Sequence, residues 1–141
     1  MQRMTEDEWR RFLLEKPRTA KVAVVRADGR PHVTPTWIDM DGDRIVFTTH
    51  RDSLKGKALL RDPRLSLCVD DDWPPFSFVT VEGVATISED LADLRHWAGR
   101  IGGRYMGADR ADEYGARNGV PGELLIHVTI RRVSAYRDVA A

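Results

Sequence analysis

The sequence predicts an α+β domain built on a barrel or strongly coiled sheet of six or so mostly antiparallel strands. Three observations carry this. Residues 19–50, TAKVAVVRADGRPHVTPTWIDMDGDRIVFTTH, hold three β-rich runs separated by two Asp-Gly turns, Asp28-Gly29 and Asp41-Gly42. Asp-Gly between such runs is among the stronger hairpin signals. Further strand-like runs lie at 64–70, 76–88 and 124–138, and the helical stretches among them do not alternate strictly with strands. A doubly wound parallel sheet is therefore not expected.

Each element has its own signal. Thr5-Glu6-Asp7-Glu8 reads as a capping box, with Trp9, Phe12 and Leu13 following at helical spacing, so a helix is predicted over 5–16, ending before Pro17. An antiparallel meander is predicted from about 20 to 49. A helix over 53–61 starts at Asp52 or Ser53 as N-cap and stops before Pro63. On it, Leu54, Ala58 and Arg61 share a face, and Leu59 and Leu60 broaden the apolar side. Gly83 marks a bulge or bend in the 76–88 strand. The stretch 89–106 reads as an amphipathic helix with Leu91, Leu94, Trp97, Ala98 and Ile101 on one stripe. A further helical piece is expected near 109–117, then a loop, then the closing strand.

Bulk properties narrow the function classes. A chain of 141 residues is the size of one domain, here 1–141. Its 22 basic and 22 acidic side chains cancel, which argues against nucleic acid as the main partner. No apolar run approaches a membrane span, and MQRMTEDEWRRF lacks the apolar core of a signal peptide. A lone Cys68 excludes an internal disulfide and a cysteine zinc cluster. A cytoplasmic location is expected.

The start of the 53–61 helix is unusual. Arg51, Lys55 and Lys57 crowd the end of a helix that already carries a partial positive charge. Positive charge on positive charge calls for an anion, and helix N–H groups with the Ser53 hydroxyl and a lysine ammonium make a site for one. There is no G-x-G-x-x-G and no P-loop, so a nucleotide-like ligand would bind in another way.

The ordered set Asp-Gly-Arg-Pro, Thr-Pro-x-Trp, Ser-x-Lys-x-x-x-Leu, Arg-Asp-Pro-Arg and Val-Glu-Gly-x-Ala, running from about 19 to 137, resembles the pyridoxamine 5′-phosphate oxidase-like flavoproteins. Within them it looks most like the group that uses the deazaflavin coenzyme F-420. The resemblance implies a split β-barrel of the FMN-binding type. It implies that Ser53 and Lys55 hold the cofactor phosphate and that Thr48 and Thr49 contact the phosphate and ribityl chain. Val33, Thr34, Pro35, Thr36 and Trp37 correspond to the strand along the ring system. Pro35 lacks an N–H, so that strand must lie at an edge or a bulge. In a family homodimer, Phe76 and Phe78 of WPPFSF would reach the partner's cofactor, and pairing would cover that apolar segment. Leu54 stands where FMN enzymes of the oxidase type have an arginine, their C-terminal substrate-phosphate residues have no counterpart, and Glu123 stands where several deazaflavin relatives carry an arginine.

Other residues attract weaker readings. Lys57 and Arg51 either steer the acidic tail of F-420 or face water. His32, His50, His96 and His127 show no metal-ligand spacing, so no metal site is expected. Asp70-Asp71-Asp72 reads as a solvated strand end and Cys68 as a buried, inert thiol. Of the four tryptophans, Trp37 alone has a claim to the cofactor. No Ser-His-Asp set can be assembled and no catalytic residue is assigned; in such enzymes the cofactor carries the chemistry. The expected activity is hydride transfer from reduced F-420 to an activated C=C or C=N acceptor, with the proton from water or an unidentified side chain. The alternatives are an FMN-dependent oxidoreductase and a non-catalytic flavin or tetrapyrrole carrier.

Overall fold

In the computed structural model, which describes Met1–Ala141, the first helix, α1 (Glu6–Glu15), opens on the expected capping box. Thr5 Oγ1 accepts the Glu8 N–H at 3.2 Å and Glu8 Oε1 accepts the Thr5 N–H at 3.1 Å. Trp9, Phe12 and Leu13 are its buried face. A short β1 (Gln2–Arg3) precedes it and pairs with the end of the chain.

The strands are β2 (Ala20–Val25), β3 (Pro31–Thr36), β4 (Asp39–Asp41), β5 (Arg44–His50), β6 (Arg64–Asp70), β7 (Phe78–Ser88) and β8 (Glu123–Arg137). The helices are α2 (Leu54–Arg61), α3 (Leu91–Met106) and α4 (Ala111–Asn118), with a 3₁₀ turn at Ala108–Arg110. All ladders are antiparallel, in the order β3-β2-β6-β7-β8-β5-β4. Both Asp-Gly turns form hairpins, with Gly29 at φ 86° and Gly42 at φ 58°, where a side chain would be strained.

The expected continuous meander over 20–49 is wrong in one respect. Its middle run breaks at Trp37 and Ile38, and the two pieces, β3 and β4, stand at opposite ends of the sheet. The reason is that Ile38 is fully buried and its N–H goes to Tyr105 Oη at 3.0 Å instead of a strand neighbour. The break also explains the barrel. Three Cα–Cα steps span at most ~11 Å, so the sheet must coil until its two edges nearly meet. Since β3 and β4 do not pair, the barrel stays split there. Pro35 lies on the terminal strand β3, an edge as its missing N–H requires.

Inward residues of the barrel form one apolar core that includes Val22, Phe47, Leu67, Val81, Leu124 and Ile126. Fully burying each such side chain contributes ~1.5–3 kcal/mol. A second, small cluster of Val46, Leu94, Ile101 and Leu125 seats α3 on the outer face of β5 and β8. Hence Ile45, Val46 and Phe47 are all fully buried. Gly83 sits at the predicted bulge, where the register shifts after Glu82. A Cβ there would come within 2.4 Å of Val128 Cγ1.

Four smaller expectations need correction. The strand predicted from 76 begins at Phe78, because Phe76 has φ 61° in the loop after the cis Pro74–Pro75 bond. Leu91 is exposed at the first turn of α3, beyond the reach of the sheet. On α2, Leu54 and Leu60 face out, and the buried residues are Lys55, Gly56, Ala58 and Leu59. Cys68 is only half-buried, on the outer side of β6. Asp70 and Asp71 are engaged by Lys21 at 2.8 Å and Arg18 at 2.6 Å. No helix is long and apolar enough to cross a membrane.

Candidate cofactor site

Where β5 runs out toward α2, its last residues border a cleft of about 250 Å³ closed on the other side by α3 and the end of α4. Thr36, Trp37, Thr48 and Thr49, all anticipated from sequence, line it. Trp37 is fixed from behind by Tyr105, stacked at 5.2 Å between ring centroids. His50, Ala98, Ile101, Asn118 and Glu123 also line the cleft and were missed as a set. Ala98 and Ile101 lie on the stripe that marks α3 as buried, but nothing in the pattern says which strand that stripe covers.

The turn from β5 into α2 is tightly built. Ser53 Oγ donates to the His50 carbonyl at 2.7 Å and accepts the Gly56 N–H at 2.9 Å. Its one proton being used, the 3.1 Å contact with Thr49 Oγ1 is donated by the threonine. Ser53 is thus engaged as the helix cap and links the cleft-lining Thr49 to α2. Gly56 lets the helix sit directly on the strand end, since a Cβ there would be 2.2 Å from the His50 oxygen.

Lys55 differs from the other cations of this segment. It is only 9 % exposed, it lies in the first turn of α2, and its Nζ sits 5.6 Å from the centre of the Phe47 ring. No carboxylate pairs with it, and burial lowers its pKa from the ordinary 10.5. An ammonium so held is matched to an incoming anion. Arg51, in contrast, is ion-paired with Glu89 at 2.6 Å. Lys57 is exposed on the other flank of α2, beside Arg26, Asp28 and Arg61, so the structure does not bring it to the cleft.

The remaining anticipated residues are spread out. On edge strand β3, Val33 and Pro35 point to solvent, while Thr34 turns to the other face, its Oγ1 buried without a partner. Phe78 packs on Tyr136 at 5.8 Å, and Phe76 is exposed in the preceding loop. Phe78 and Thr48 lie toward opposite ends of β8, through their partners Tyr136 and Leu125, so one chain does not unite them in the cleft. Inside the cleft, burial pushes the Glu123 carboxyl above its ordinary pKa, with His50 partly offsetting this. His50 Nδ1 accepts the Asp52 N–H at 3.0 Å.

The family model for pyridoxamine 5′-phosphate oxidase matches residues 5–137. The chain belongs to this family. Its split barrel is shared with solved relatives: a conserved hypothetical protein from Mycobacterium tuberculosis has a TM-score of 0.83 at 27 % identity, over 98 % of this chain and 89 % of that one. A protein described as an F-420 reductase has a TM-score of 0.69 at 27 % identity, over 88 % of this chain and 94 % of that one. Among family members with a curated description, the pyridoxine/pyridoxamine 5′-phosphate oxidase of Cupriavidus metallidurans is 33 % identical over 104 residues, which cover 72 % of this chain and 48 % of that protein. The matched part spans less than half the length of such curated relatives.

Proposed function

We propose that this protein is an oxidoreductase that transfers a hydride from reduced coenzyme F-420 to an activated C=C or C=N bond in a small organic molecule. The observation that carries the reading is Lys55, a buried ammonium without a counter-ion at a helix start, one turn from the threonines of the cleft. When bound, the reduced coenzyme supplies a hydride from the ring carbon that replaces N5 of a flavin. The chain's own part is to bind and orient. Lys55 neutralises the phosphate, Thr48 and Thr49 offer hydroxyls to the polar chain beside it, and β3 with Trp37 flanks the ring. Leu54 in place of an arginine favours the deazaflavin over FMN.

The FMN-dependent alternative rests on the curated relatives, whose descriptions are those of pyridoxine/pyridoxamine 5′-phosphate oxidases. We take residues 1–141 as one cofactor-binding domain that works as a homodimer. The exposed Trp73 and Phe76 then cover the partner's cofactor, and a monomer at micromolar concentration in sedimentation would count against shared sites.

The deciding experiment is a pair of fluorescence titrations of the purified protein, one with F-420 and one with FMN. Micromolar or tighter binding of F-420 alone, weakened by Lys55→Glu, is expected. Preference for FMN moves the protein to the flavin branch, and binding of neither ends the oxidoreductase reading.

A further inference from the structure

On the other flank of α3 lies a second cavity, of about 530 Å³, bounded by the end of α1, the start of β4 and the beginning of α4. Asp39 lines it and is only 4 % exposed. Its Oδ1 accepts the Met40 N–H at 2.8 Å, while its Oδ2 is buried with no hydrogen-bond partner. Arg100 Nε stands 3.6 Å away, too far for a hydrogen bond, on a side chain more than half exposed at the cavity rim. Arg104 lines the same cavity. It donates Nε to the Ile38 carbonyl at 3.1 Å and Nη1 to the Leu14 carbonyl at 3.2 Å, and its Nη2 is buried without a partner.

An acceptor and a donor of opposite charge thus open onto one cavity and form no ion pair with each other. Buried polar atoms without partners are few in a folded chain. Two in one cavity, of complementary sense, describe the missing group: it must donate to Asp39 and accept from Arg104.

We propose that this cavity binds a free α-amino acid with a small aliphatic side chain. Its ammonium donates to Asp39 Oδ2, and its carboxylate accepts from Arg104 Nη2 with Arg100 closing over it. A simple carboxylate would satisfy only the arginines, and a simple amine only the aspartate. With two guanidinium groups against one carboxylate, the lining carries one net positive charge, which suits a zwitterion and opposes a plain cation. A bridging water occupies ~30 Å³, a small part of the space. The remainder is walled by Leu14, Gly103, Ala108 and Ala111. A Cβ on Gly103 would come within 3.3 Å of the Ala111 methyl, so the glycine keeps this wall open.

The test is a ¹⁵N chemical-shift titration of the full chain with glycine, L-alanine, L-valine and L-leucine, and with propionate and ethylamine as probes lacking one charged group. At least one amino acid is expected to move the amide signals of Asp39, Met40, Gly103 and Arg104 saturably at millimolar concentration. Propionate, ethylamine and the Asp39→Asn variant should each bind at least about tenfold more weakly. The analogue comparison needs only the unmodified protein, so it stands if Asp39→Asn fails to fold. Absence of saturable shifts at these residues, or equal binding of propionate, overturns the proposal. So does a crystal grown with the best-bound amino acid that holds only water between Asp39 and Arg104.

Discussion

Trp37 and Tyr105 stack face to face, 5.2 Å between centroids and 7° from parallel, and Tyr105 Oη takes the Ile38 N–H and donates to the Arg18 carbonyl at 2.6 Å. One side chain of α3 therefore holds the two residues on which the barrel splits. The same contact sets the wall of the cleft, because Trp37 lines it. Fold and site share this hinge point.

Replacing Tyr105 with phenylalanine keeps the stack and removes the hydroxyl. The Ile38 N–H, on a buried residue, is then left without an acceptor, a loss of ~1–3 kcal/mol. Urea denaturation should report a lower midpoint with an unchanged slope. Cofactor affinity should fall as well, since Trp37 is no longer anchored through its neighbour. Stability equal to that of the unmodified protein would mean that the Ile38 N–H finds water.

Gly56→Ala addresses the joint between β5 and α2. The added methyl would meet the His50 carbonyl at 2.2 Å, and backbone cannot yield there as a flexible side chain would. Overpacking of this kind costs ~1–3 kcal/mol. Because α2 must tilt away, the Ser53–Thr49 link and the position of Lys55 change together. Thermal denaturation and cofactor titration should therefore both suffer, whereas Gly29→Ala, in open space at a hairpin, should lower stability alone.

Much of the strand and helix pattern was legible because it is local. Thr5 with Glu8, Ser53 at its helix start, both Asp-Gly turns and the bulge at Gly83 depend on residues within a turn of one another. The partition of β3 from β4 was not legible, because it is decided by Tyr105, 67 residues from Ile38 in sequence. The cleft divides in the same way. Thr48, Thr49 and Ser53 are neighbours in the chain and could be grouped from it. Glu123 and Asn118 reach the same place only through the β5–β8 register, in which His50 pairs with Glu123. Lys55 and Lys57 carry the same charge two residues apart, and only the seating of Gly56 on the strand tells which one is buried.

Glu123 places a carboxyl in a cleft proposed to take an anion. Burial raises its pKa, so between 4.5 and the folded value the native chain holds more protons than the unfolded one. Its contribution to stability is fully present below 4.5 and is lost as pH rises through the folded value. Glu123→Gln should abolish that decline in a series of denaturation curves from acid to neutral pH. The same variant should bind the anionic cofactor more tightly, by several-fold at pH ~8 and hardly at all at pH ~4, where the native carboxyl is already neutral. An equal effect at both pH values would show that Glu123 acts by shape.

Lys55 offers the converse case. Its pKa is lowered by burial, so between the folded value and 10.5 the unfolded chain binds more protons. Native stability should then rise with pH across that window, as the buried ammonium gives up its charge. Lys55→Met removes the cost of burying that charge and keeps most of the apolar stem. The variant should be more stable than the parent near neutral pH without ligand, and the advantage should shrink as pH approaches 10.5. With cofactor present the order should reverse, because a charge-assisted hydrogen bond to the phosphate is worth ~1.5–3 kcal/mol, or at least about tenfold in Kd. Denaturation with and without cofactor, at neutral and alkaline pH, measures all four corners. A variant that is less stable than the parent in every one of them would make Lys55 a packing residue and leave the anion without its principal partner.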